Sequence, residues 1–250
     1  MKRNIRFLLE YDGSRYYGWA KQPDQEMTIQ GKMEQLLARI TGMESVEVIG
    51  AGRTDAGVHA RGMVCNAHLE TDLPVDELRS LCNQYLPDDI CVLEVKEASP
   101  RFHARYLATG KTYRYTCCGG PLKPVFERKY VWTIPAEWHP DLNAMREAAA
   151  FLTGTHDFAS FCANPRVKKS TVRTVDSIEI AQHGPFLTLT YHGDGFLQHM
   201  VRILTGTLME CGIGWRTPSS IPELIEARDR KQAGMTAPAS GLCLMSVDYN

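Results

Sequence analysis

The sequence predicts an α+β chain of two similar halves, and three observations predict it. Apolar residues switch repeatedly between a two-residue and a 3.6-residue period along the 250 residues. The order of those periods up to residue 98 is β-α-β-β-α-β. The same order returns, with insertions, in the remainder. This order is the split βαβ unit, a sheet with helices on one face. We therefore expect two ferredoxin-like (RRM-like) halves, residues 1–104 and 105–250, with largely antiparallel sheets and an active-site cleft between them.

The elements follow from local pattern. NIRFLLEYDG alternates Ile5, Phe7 and Leu9 against Arg6 and Glu10, a strand. TIQGKMEQLLARITG sets Ile29, Met33, Leu36, Leu37 and Ile40 on one helical face, with Thr28 placed to cap its start and Gly42 its end. SVEVIG is a short strand, and MVCNAHLE a longer one. PVDELRSLCNQYLP is a helix with Pro74 in its first turn and Leu78, Leu81 and Tyr85 inward. ICVLEVKEA closes the first half as a strand. In the second half KTYRYTCC and RKYVW are strands, and HPDLNAMREAAAFLTG is a helix ended by Gly154. TVDSIEIAQ and PFLTLTYHG form a hairpin around His183 and Gly184. FLQHMVRILTGTLMECG is a long apolar helix, IPELIEARD a short one, and GLCLMSVDY the last strand.

Composition narrows the function classes. No apolar run approaches the roughly 20 residues that span a bilayer. The start alternates at once and lacks a signal-peptide apolar region, so we expect a cytoplasmic protein. The eight cysteines contain no C-x-x-C pair and sit mostly at apolar positions, as packing thiols do. A net charge of −1 does not announce a polyanionic partner, so any nucleic-acid contact needs cations gathered on one face. Arg101, His103 and Arg105 of RFHARY are candidates, with Lys168, Lys169 and Arg173 further on.

The stretch VIGAGRTDAGVHARG carries the chemistry. Gly50-x-Gly52 begins like a dinucleotide fingerprint, but Asp55 occupies the third glycine position and a strand follows. No Walker A sequence is present. His68 and Glu70 match half of a zinc-deaminase pattern whose other half is missing, and no metal site is expected. Asp55 in a tight turn is either a loop aspartate bonding its own backbone or an ionised carboxylate held beside Arg53 and Arg61. Arg202, in an otherwise apolar helix, needs a carboxylate partner: a structural ion pair, or Asp55 across a cleft. Tyr113 and Tyr115, beside Lys111, either pack a core or offer a stacking face for a base.

Together these residues resemble the tRNA pseudouridine synthase A family. AGRTDAGVHA resembles its Asp loop, and YDGSRYYGW, LPDDI, FHARY, KTYRY, HDFASF, FLQHMVR and APASGLCL resemble its successive segments in order, over essentially the whole chain. The resemblance implies isomerisation of uridine to pseudouridine in the tRNA anticodon stem-loop, at about positions 38 to 40, by extruding the base from its stack. It implies no metal or organic cofactor, and a homodimer whose clefts use both subunits. By position, Asp55 matches the nucleophile, Tyr113 the tyrosine against the uracil, and Arg202 the arginine paired with the aspartate. Arg53 matches the base-flipping arginine and Leu242 an apolar pocket residue. The sequence departs from the family pattern at Ala20, Lys21 and Gln198. The competing reading from another class is a ferredoxin-like protein that binds RNA without chemistry.

Overall fold

A computed structural model describes residues 2–164, 166 and 170–250. The chain divides into two compact units, Met1–Thr109 with Cys243–Asn250, and Gly110–Leu242. The final residues thus belong by their contacts to the first unit, although they follow the second half in sequence.

The chain begins β1 (Lys2–Tyr11), α1 (Ile29–Thr41), β2 (Val48–Gly50), β3 (His59–Glu70), α2 (Val75–Tyr85) and β4 (Ile90–Ala98). It continues β5 (Ala108–Cys118), β6 (Trp132–Thr133), α3 (Leu142–Leu152), β7 (Gly154–Asp157), β8 (Val172–His183) and β9 (Phe186–Gly193). It ends with α4 (Met200–Gly212), α5 (Ile221–Ala227) and β10 (Leu242–Tyr249).

In the first unit the strand order is β4-β1-β3-β2, every neighbour antiparallel, which is the ferredoxin-like arrangement. Ile5, Phe7 and Leu9 are fully buried on one side of β1. Cys65, opposite Phe7 in register, lies near Cys82 of α2, so this side faces the helices. The capping residues act as their chemistry dictates. Thr28 accepts a hydrogen bond from the Gly31 amide at 3.2 Å, and Gly42 ends α1 in the left-handed region at φ 71°.

One edge of β3 is shared. Residues 65–67 pair with β2, while His59 and Ala60 pair in parallel with Cys243 and Leu244 of β10. The loop that carries Asp55 leaves the sheet from β2 and re-enters it where β10 docks. On the helix-free side, residues 99–106 cross the sheet on a buried polar network. Asn4 Nδ2 donates to the Ser99 and Phe102 carbonyls at 2.8 and 2.9 Å. Asn66 Nδ2 donates to Asn4 Oδ1 at 3.0 Å, and Asn66 Oδ1 accepts from the Ala104 amide at 2.9 Å. The Tyr249 hydroxyl donates to the Ala104 carbonyl at 2.7 Å. Such groups are tolerated inside because each has a partner.

In the second unit β5-β9-β8-β7 pair antiparallel, and β6 runs beside the end of β5. Tyr115, Tyr191, Phe158 and Phe161 are fully buried. Four local expectations change. RKYVW yields only the two-residue β6, because residues 125–130 turn, with the Tyr130 amide donating to the Glu127 carbonyl at 2.7 Å. The apolar helix begins at Met200, since His199 adopts φ 60°, a left-handed conformation that a helix cannot contain. Tyr85 is 50 % exposed at the end of α2, where Cys82 takes the inward position and Arg39 stands over the tyrosine ring at 5.2 Å. Gly154 opens the short strand β7 rather than closing a helix.

All eight cysteines are free, and six are buried. Burial pushes the Cys82 thiol up to about 12 and the Cys211 thiol to about 11, and raises Cys65 and Cys117 as well. The folded state therefore holds these groups as neutral thiols. Their contribution to stability is complete below the ordinary thiol value of 9.0 and falls as pH climbs from there toward the folded values. Iodoacetamide at pH 8 is expected to leave Cys65, Cys82 and Cys117 unmodified in native protein and to label them in urea. Equal labelling in both states, read by mass spectrometry, contradicts their burial.

Candidate active site

The loop between β2 and β3 is held by the segment that follows β1. Thr54 is 6 % exposed, and its hydroxyl and that of Tyr11 lie 2.9 Å apart in a buried hydrogen bond. The Trp19 amide donates to the Thr54 carbonyl at 3.1 Å. The Gly57 amide donates to the Tyr16 carbonyl at 3.2 Å. Asp55 opens a β-turn, with the Val58 amide donating back to its carbonyl at 3.1 Å. The third residue of that turn, Gly57, has φ 78°, the type II requirement that favours glycine. Asp55 is thus fixed through its backbone and its side chain is half-buried, while Arg53 and Arg61 are exposed.

A phosphate cradle needs free backbone amides. Here the Ala51, Gly57 and Val58 amides already donate to the carbonyls of Val64, Tyr16 and Asp55. These three amides are taken, and the Asp55 carboxylate repels a phosphate.

Residues to which sequence reasoning gave no role, apart from the nearby His59, build the support. Gly18 has φ 90°, and a Cβ there would stand 2.4 Å from the Thr54 carbonyl oxygen. Only glycine allows that approach. His59 is buried, and its Nδ1 lies 3.1 Å from the Gly13 amide and 3.2 Å from Asp12 Oδ1. That nitrogen accepts from Gly13 when unprotonated and pairs with Asp12 when protonated. Asp89 of LPDDI accepts from the Tyr16 hydroxyl at 2.6 Å and from the Arg15 guanidinium. Burial and this bond to Asp89 raise the Tyr16 hydroxyl to about 12, so it stays a donor. Three separated segments thus meet around one carboxylate. The glycines of YDGSRYYGW were the available signal.

The other site residues lie in the second unit. Tyr113, 8 % exposed, shares a face of β5 with the fully buried Tyr115. Its ring meets Phe196 edge-on at 5.3 Å. Arg202 Nε donates to the Ala237 carbonyl at 2.7 Å, and the Ala237 amide returns a bond to the Arg202 carbonyl at 3.1 Å. Gly206 lets this strand of chain come close, as a Cβ there would lie 1.9 Å from the Met235 carbonyl oxygen. The Tyr115 hydroxyl donates to the Pro238 carbonyl at 2.7 Å, and burial raises its pKa while Arg202 opposes the rise. Residues 235–242 are thereby tied to α4 and β5, with Leu242 buried at their end. Asp55 and Arg53 stand in the first unit, and Tyr113, Arg202 and Leu242 in the second.

Of the expected basic residues, Arg101 and Arg105 are exposed. Arg173 Nη1 donates to the Ser170 carbonyl at 2.9 Å. Lys168 and Lys169 lie outside the described residues. Lys21, a departure from the family pattern, pairs with Glu34 at 3.2 Å. His68 and Glu70 are exposed on β3. Among the described residues no group of three or more His, Cys, Asp or Glu side chains could hold a metal ion.

The first unit is thus a ferredoxin-like sheet with a backbone-fixed carboxylate, and the second is an α+β unit that bears a tyrosine and an arginine. Residues 8–107 and 148–250 match the tRNA pseudouridine synthase family, and the chain belongs to that family. Full-length relatives agree. The chain is 45 % identical to a tRNA pseudouridine synthase A of Moorella thermoacetica, covering 98 % of this chain and 99 % of that one. It is 43 % identical to that of Brevibacillus brevis over 100 % of both chains, and 44 % identical to that of a Geobacter species over 99 % of both. Asp55, Arg53, Arg202 and Leu242 fall in the matched stretches, and Tyr113 between them.

Replacing Gly18 by alanine imposes both the unfavourable φ and the clash with Thr54. We expect a loss of about 2 kcal/mol in urea unfolding. Unchanged stability of Gly18→Ala contradicts the close approach.

Proposed function

We propose that this chain isomerises uridine to pseudouridine in the anticodon stem-loop of tRNA, at about positions 38 to 40, after the target base leaves its stack. The observation that carries the reading is the Asp55 loop, a carboxylate whose backbone is fixed on either side while its side chain remains half-buried. Membership of the family supports it.

The reaction breaks the N1–C1′ glycosidic bond, turns the uracil, and joins C5 to C1′. The C5 proton leaves and N1 gains one, so the atoms balance without a redox partner. Asp55 acts as the nucleophile that carries the sugar or the base through this exchange. Arg53, exposed beside it, fills the space the base vacates. Tyr113 packs on the extruded uracil, and Leu242 supplies an apolar wall. Arg202 is the residue that the resemblance assigns as the partner of the aspartate. A homodimer in the cytoplasm, with no metal or organic cofactor, completes the proposal.

Incubation of an unmodified tRNA transcript with purified protein and no added cofactor, followed by pseudouridine mapping, tests it. The result expected is pseudouridine in the anticodon stem-loop. A protein that binds the transcript and leaves every uridine intact is an RNA-binding protein instead. Asp55→Asn is expected to retain fold and tRNA affinity and to form no pseudouridine; appreciable turnover by the pure variant contradicts the nucleophile. Tyr113→Phe is expected to lower turnover more than affinity, whereas equal losses reduce Tyr113 to a stacking surface.

A further inference from the structure

The turn at residues 101–107 is built in a way that neither the Asp55 loop nor the core explains. His103 and Tyr106 stack with ring centroids 4.1 Å apart at 27°. His103 Nδ1 accepts from the Arg105 and Tyr106 amides, both at 3.2 Å, and the Leu107 amide donates to the His103 carbonyl at 3.1 Å. The turn is anchored from beneath. Ala104 is fully buried and hydrogen-bonded at both its amide and its carbonyl, to Asn66 and Tyr249. The Arg6 guanidinium lies 4.9 Å from the Tyr249 ring centre and 5.6 Å from that of Phe102, stiffening the same support.

On this fixed base stand three outward groups. Tyr106 is 74 % exposed, one ring face on His103 and the other open. Arg101 and Arg105 are exposed beside it. Neither guanidinium has a carboxylate partner among the described residues. An aromatic ring left 74 % exposed, with two exposed arginines in the same turn, adds little to the fold beyond its stack on His103. The same combination suits a nucleic acid, because a base of any sequence stacks on an aromatic face and guanidinium groups meet phosphates. The chain's net charge of −1 makes this local excess of cations a feature of the turn, not of the whole surface.

The geometry points to this turn as a second RNA contact, in which a nucleotide outside the target site stacks on Tyr106 while Arg101 and Arg105 hold flanking phosphates. It rests on tRNA being the substrate. The contact is remote from the Asp55 loop. Asn66, which anchors the turn, stands seven residues along β3 from His59, where the loop ends, on the order of 20 Å at the rise of a strand. RNA bound here is therefore not the nucleotide being isomerised.

The test is the affinity of the full-length protein for an unmodified tRNA transcript across a salt series. Tyr106→Ala is expected to weaken binding roughly tenfold, and Tyr106→Phe, which keeps the ring, to bind within about twofold of wild type. Arg105→Gln is expected to weaken binding and to flatten the plot of log affinity against log salt by about one unit. Tyr85→Ala, another exposed tyrosine of the first unit, serves as the control and is expected to bind as wild type. Tyr106→Ala binding as tightly as wild type overturns the proposal, as does a loss of binding accompanied by a change in oligomeric state, which assigns the turn to contact with a second copy. Wild-type protein that forms pseudouridine while Tyr106→Ala binds normally overturns this contact alone. Wild-type protein that neither binds nor modifies the transcript overturns the functional reading and this one together.

Discussion

Thr54 is the residue on which the arrangement depends. Its hydroxyl is tied to Tyr11 and its carbonyl to the Trp19 amide, and its neighbour in sequence is Asp55. A side chain on a surface loop ordinarily samples several positions. Buried bonds at the preceding residue, and a turn closed by Val58 at the following ones, remove that freedom from the Asp55 backbone. For the nucleophile proposed, a fixed backbone leaves only the side-chain torsions to be set before the carboxylate meets a reacting atom.

The fold supplies the conditions for that restraint. The ferredoxin-like order leaves β3 with an edge shared between β2 and β10, and the loop occupies the gap between the two pairings. The segment after β1 then folds over the loop. It is held in turn by Asp89, which binds both Tyr16 and Arg15. Three stretches distant in sequence meet because strands β1, β3 and β4 are neighbours in one sheet. The second unit uses the same economy around Arg202, where backbone bonds in both directions join α4 to Ala237.

Much of this was legible in the sequence where one residue decides the matter alone. Thr28 and Gly42 bracket α1 because a side-chain cap and a left-handed residue are local devices. Asp55 stood out because it interrupts a glycine pattern in which a phosphate loop has no acid. What escaped was set by contacts beyond the local window. Tyr85 fits the inward period of α2, yet the helix ends there and the ring turns to Arg39. The apolar run from Phe196 reads as helix, but His199 takes a left-handed conformation that no periodicity reveals. Gly18 had no reading of its own in the sequence, and its purpose emerges only when the Thr54 carbonyl lies against it.

The most direct measurement is the turnover of two Thr54 variants on a tRNA transcript. Thr54→Ser keeps the hydroxyl that meets Tyr11, and Thr54→Val keeps the shape without it. If the buried bond positions the carboxylate, the serine variant turns over within about twofold of wild type. The valine variant then loses at least about tenfold in kcat with fold and tRNA affinity intact. A folded Thr54→Val protein that forms pseudouridine at the wild-type rate contradicts the account.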